Sequence, residues 1–147
     1  MKRVLTATIV LFGLNIHAFA SEVISFTYSG NSGMNRQFYA CSYVEDQTVS
    51  YLELFGATGI EVSCFGGIQN YSVGPVSLRA KFDLPVVSGQ TVEEIKIEGD
   101  SWNPNCGINT KIINEALKIF TNIKVVKKSD SCAFTSSNFS YVLKINR

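Results

Sequence analysis

Residues 41–64 read CSYVEDQTVSYLELFGATGIEVSC, and residues 106–132 read CGINTKIINEALKIFTNIKVVKKSDSC. Each stretch opens on a cysteine, carries an apolar stripe at helical spacing, turns into a short alternating segment and closes on a cysteine. In the first, Val44, Thr48, Tyr51, Leu52 and Phe55 recur at steps of three and four, which puts them on one helix face. Glu45, Asp46, Ser50 and Glu53 fall largely elsewhere around the helix. Ser42 and Glu45 have the spacing of a capping box, and Gly56 suits the left-handed residue that ends a helix. Ile60 and Val62 then alternate with Glu61, as in a half-buried strand. The second stretch repeats the order more loosely. Its stripe is Ile113, Ala116, Leu117 and Phe120, its candidate caps are Asn105 and Asn109, and Ile123 and Val125 alternate with Lys124.

Outside the cysteines the repetition continues. Ile24, Phe26 and Tyr28 form an alternating strand before the first stretch, and Ile95 and Ile97 form one before the second. Val76, Leu78, Ala80, Phe82 and Leu84 follow the first, while Phe139, Tyr141, Leu143 and Ile145 follow the second. The chain therefore reads strand-helix-strand-strand, twice. The expected fold is α+β: an antiparallel-rich sheet of about six strands with two helices on one face. The pseudo-repeats span about 21–88 and 89–147 within a single domain, 21–147. Identity between LELFGATGIEVSC and LKIFTNIKVVKKSDSC is low, so the duplication rests on order, spacing and character.

Residues 1–20 read as a signal peptide. Lys2 and Arg3 precede the apolar run Val4 to Ile16, which is short for a bilayer, and Ala18-Phe19-Ala20 is a small-x-small cleavage site. The mature chain is expected to start at Ser21, in the periplasm or outside the cell, with the proportions of a bacterial export signal. No second run of membrane length follows, so no span is expected after signal removal.

Export changes the chemistry available. The only histidine, His17, lies in the leader, so the mature chain has none. Ser-His-Asp and Cys-His catalysis and histidine metal sites each need an imidazole and are excluded. Residues 21–147 carry 11 basic and 12 acidic side chains, a balance of −1, and no nucleic-acid motif, so nucleic acid is not an expected partner. Nor is a cofactor or metal expected.

An even number of cysteines in an oxidising compartment implies two disulfides among Cys41, Cys64, Cys106 and Cys132, with three pairings open. Length favours local ones. A helix over 42–55 is roughly 20 Å long, and a strand over 59–64 about the same. A strand running back along its helix returns Cys64 to Cys41, and the same arithmetic brings Cys132 to Cys106. No CxxC is present, which weighs against redox or zinc chemistry.

Charge divides the chain: 21–104 carries 4 basic and 10 acidic residues, whereas 105–147 carries 7 basic and 2 acidic. Lys124, Lys127 and Lys128 form a candidate surface for an anionic partner, and the opposed halves offer a route to a homodimer. Two polar loops occupy matching places. Ser29 to Gln37 presents Met34 and Arg36; Gly99 to Gly107 presents Trp102, the only tryptophan, beside Pro104. Lying together at one end of the fold, these loops are the first place to look for a site. Cys64-Phe65-Gly66-Gly67 is a third candidate, read as a turn after the disulfide rather than an anion cradle. Among carboxylates, Glu93 and Glu94 are adjacent and point to opposite faces of a strand, while Glu98 and Asp100 flank Gly99.

The expected function is a non-catalytic, exported binding or inhibitor-like module for a protein, peptide or envelope component. Two alternatives remain: a histidine-free hydrolase using carboxylates or a Ser/Lys pair, and a structural or assembly protein acting as a dimer.

Overall fold

Residues 21–30, 38–69, 72–89, 91–99, 104–133 and 136–147 are described by the computed structural model; the expected signal peptide lies outside them. The alternating segments form β1 (Ser21–Tyr28), β2 (Thr58–Gln69), β3 (Ser72–Asp83), β4 (Val92–Gly99), β5 (Ile123–Ala133) and β6 (Ser136–Asn146). The two stripes form α1 (Cys41–Leu54) and α2 (Cys106–Leu117). Strand-helix-strand-strand thus occurs twice, in an α+β fold with two helices and six strands among the described residues.

The strands divide into two three-stranded sheets, β1-β3-β2 and β4-β6-β5, where the sequence led us to expect one. The reason is local. In each unit the last strand takes the central place and pairs antiparallel with both earlier ones. β1 and β2 are therefore parallel to each other and need a crossover, which α1 supplies; α2 does the same between β4 and β5. With β3 and β6 saturated on both sides, the second unit has no central edge to join.

Cys41 pairs with Cys64 and Cys106 with Cys132, each with a Cα–Cα distance of 5.4 Å. Both helices thus have their first residue fastened to a strand that runs back beside them.

Helix ends differ from the sequence reading at one end and match it at the other. Ala40, not Ser42, sits at the N-cap of α1, and no side chain caps it. Glu45 Oε1 accepts instead from the Cys64 N–H at 2.8 Å, so the capping-box glutamate ties helix to strand. At the other end Gly56 has φ +91°, Ala57 N–H reaches Leu52 O and Gly56 N–H reaches Glu53 O, which together make a Schellman motif. Asn105 holds the N-cap position of α2 without a side-chain cap.

One apolar cluster runs through both units. It includes Ile24, Val44, Leu52, Phe55, Leu78 and Phe82 from the first and Ile108, Ile112, Phe120, Tyr141 and Leu143 from the second. Phe120 joins them. Its ring stacks on Phe82 at 5.5 Å and 5°, and meets Phe55 edge-on at 5.5 Å and 69°. Arg147 adds a polar link. Its Nε donates to Glu93 at 2.6 Å, its guanidinium donates to Leu54 O near the end of α1 at 3.2 Å, and its backbone N–H donates to Thr91 O. Among the described residues no buried side-chain nitrogen or oxygen lacks a hydrogen-bond partner.

Candidate functional site

The CFGG motif lies in β2, not in a turn. Register with β3 runs Phe65↔Ser77 and Gly66↔Val76, then resumes at Ile68↔Val73, so two residues of β3, Gly74 and Pro75, stand opposite Gly67 and the ladder bulges. Both glycines are required there. Gly66 has φ +83° and Gly67 φ +76°, a region that side chains avoid. A methyl on Gly66 would collide with Pro75 O, and one on Gly67 with Tyr39 O. Past the bulge, Ile68 N–H donates to Tyr39 O at 2.9 Å. Cys64, immediately before it, is held by its disulfide. The hairpin end is therefore fixed in direction by a bridge, a bulge and a backbone hydrogen bond.

What this rigid end presents is apolar. Phe65 is 68% exposed, Ile68 52% and Val73 57%. Ile68 and Val73 are cross-strand partners, and Val73, Pro75 and Ser77 alternate with the buried Val76 and Leu78. Phe65 stands opposite Ser77 on the outer face of the first sheet, and the exposed Ile68–Val73 pair follows beyond the bulge, towards the hairpin end. Of the charged residues of that face, Arg79 stands opposite Ser63 in the row next to Phe65 and Ser77, and Glu61 and Lys81 lie one row farther from the hairpin end. The patch has a sequence signal that is an absence rather than a motif: residues 62–78, VSCFGGIQNYSVGPVSL, contain no charged side chain.

Met34, Arg36 and Trp102, the loop residues singled out from sequence, lie outside the described residues, as does Asp100. The flanks of their loops do meet. Tyr39 Oη donates to Pro104 O at 3.2 Å, and a methyl on Gly107 would strike the Tyr28 hydroxyl. The Tyr28 and Tyr39 rings lie 5.8 Å apart, those of Tyr39 and Tyr43 6.5 Å. Tyr43 Oη donates to Asn109 Oδ1 at 3.3 Å, and its hydroxyl also bonds the Asn105 side chain. Burial, with Tyr28 beside it, pushes the Tyr39 hydroxyl far above the ordinary value of 10. Burial raises Tyr28 and Tyr43 too. These tyrosines serve as neutral hydrogen-bonding wedges between the units, not as acids or bases at physiological pH.

The lysines of β5 separate. Val125 pairs with Leu143 and Lys127 with Val142, so Val126 is the extra residue of a second bulge. The bulge places Lys127 on the outer face with Lys124, which stands opposite Lys144. Lys128 points to the helix side, where its ammonium meets Asp130 at 2.9 Å and lies 5.7 Å from the Tyr141 ring centroid. Lys127 and Lys128 therefore do not form one patch. Glu98 lies on the exposed outer face of the second sheet. Lys96 at 2.8 Å, with help from Ser140, holds its carboxyl below the usual range. A general acid needs the opposite shift. Glu93 and Glu94 engage Arg147 and Lys144 respectively.

No family model matches the sequence, no curated protein is significantly similar to it, and no solved structure is significantly similar to the fold. No helix among the described residues is long and apolar enough to cross a membrane.

Proposed function

We propose that this protein is an exported, non-catalytic binding module of the periplasm or extracellular space, inhibitor-like in design, whose β2–β3 hairpin end docks on an apolar patch of another protein. The observation that supports this most is the exposed Phe65, Ile68 and Val73 on a hairpin fixed by a disulfide and a glycine bulge. Exposed apolar side chains gathered on one patch mark interaction surfaces, and rigid presentation lowers the ordering cost of binding. An uncharged segment brings no ion to be desolvated, so a protein pocket lined by apolar groups suits it. An anionic bilayer suits it less, because residues 62–78 contain no lysine or arginine to attract one. Two disulfides within the chain fit an oxidising compartment.

A photo-crosslinking residue at position 65, with position 27 on the same sheet as control, tests the reading in the native envelope. A single protein adduct from position 65 is expected, and its reconstituted complex should weaken by roughly tenfold or more in Phe65→Ser/Ile68→Ser, the range for buried apolar anchors. Equal affinity in that variant, or partition of the wild type into lipid vesicles with no protein adduct, overturns it.

A further inference from the structure

The two units differ where they should match. In the first, α1 lies along β2, leaving Ile60, Val62 and Cys64 packed against the core, and Glu45 takes up the Cys64 N–H. In the second, residues 124–131 of β5 are all exposed, with Val125 at 41% and Val126 at 51%. β5 is an edge of its sheet, and no described strand pairs with its outer side. An edge of this kind is a template for another strand.

We propose that β5 accepts an extended acidic segment of a partner protein as an added strand, at a surface separate from the hairpin end. Charge selects this occupant. Residues 124–128 read KVVKK, three lysines with no acid. Lys124 also stands opposite Lys144 on β6, whose nearest acid, Glu94, is 3.9 Å away. Two copies of β5 laid side by side would bring lysine near lysine, which is destabilising. Edge lysines guard against indiscriminate pairing, and because they do so by charge the guard admits a strand of opposite sign. On β4, the other edge of the sheet, Glu93 and Glu98 are already engaged by Arg147 and Lys96, which disfavours a second copy of this chain as the donor. Glutamates on the outer face of the incoming strand meet Lys124 and Lys127; apolar residues on its other face cover Val125. Main-chain hydrogen bonds supply affinity, as in other strand-addition complexes, and the lysines supply selectivity.

The test uses the whole oxidised protein and two synthetic peptides, one alternating glutamate with valine, the other lysine with valine. With the glutamate peptide, amide exchange within 124–130 should slow by about tenfold or more while the lysine peptide leaves it unchanged. The Lys124→Glu/Lys127→Glu variant should lose the glutamate peptide and gain the lysine one. Phe65→Ser should bind the glutamate peptide as the wild type does, which separates this surface from the hairpin. Unchanged exchange at β5, protection confined to the β2–β3 hairpin, equal binding of both peptides, or protection of β5 by self-association without peptide each overturns the proposal.

Discussion

Replacing Phe120 by alanine should loosen both units at once. The ring is 2% exposed and is held between Phe82 and Phe55, which belong to the other unit. A buried Phe→Ala change costs about 3–5 kcal/mol through lost transfer energy and a residual cavity. The two aromatic pairs contribute about 0.5–1.5 kcal/mol each beyond area. Because the core is shared, the loss should appear as a lower midpoint of one cooperative transition, by roughly 10–20 °C for a domain of this size. Urea or thermal denaturation followed by circular dichroism reads it. A double-mutant cycle with Phe82→Leu isolates the stacked pair, with an expected coupling of about 0.5–1.5 kcal/mol. A loss below about 1 kcal/mol, a coupling indistinguishable from zero, or two separate transitions would refute the reasoning. So would a stably folded fragment from a cut near Gly89.

Three other outcomes are expected. Replacing Cys41 and Cys64 by serine opens a link across a separation of 23 residues, and chain entropy puts the loss at about 3.4 kcal/mol; denaturation of the variant checks the size, and non-reducing peptide mapping checks the pairing. Gly67→Ala should cost about 2 kcal/mol or more and abolish exchange protection of the Ile68 amide, whereas Gly74→Ala, with nothing within 4 Å, should be neutral or stabilising. Burial raises Tyr51 to about 12, and Tyr28, Tyr39, Tyr43 and Tyr141 are raised as well, from an ordinary 10. The unfolded chain releases these protons first, so stability is full below pH 10 and falls as pH rises from 10 towards 12; urea midpoints across that range that stay level, or rise, would contradict the burial of these rings.

Local signals in the sequence were legible because they report on one turn or one strand. The stripe through Val44, Leu52 and Phe55, the glycine at 56 and the alternation of Val76 to Phe82 each name an element. Segment lengths favoured, among three open pairings, the local cysteine pairs that the structure has. What escaped depends on contacts distant in sequence. That β3 and β6 each take the middle of a separate sheet is a choice among pairings, and alternation does not record it. Glu45 has the right spacing for a cap, yet the Cys64 amide competes for it and wins. A one-residue bulge at Val126 reverses which lysines share a face, so counting by twos past it fails. The hairpin patch was hidden for another reason: its signal is a lack of charge from 62 to 78, and motif reading looks for residues that are present.

The central position of β3 and β6 has a consequence in time. Each is the last strand of its unit to leave the ribosome or a translocation channel, so the strands before it emerge with nothing to pair against. Cys41 and Cys64, however, both precede β3. An oxidant can close that bridge while the sheet is still absent, leaving a helix clipped to an unpaired strand. Only when β3 follows can it zip between β1 and β2, and the same sequence of events repeats with Cys106, Cys132 and β6. Chain order thus permits a covalent holding step in each unit before its sheet forms, with the central strand the last part to be added.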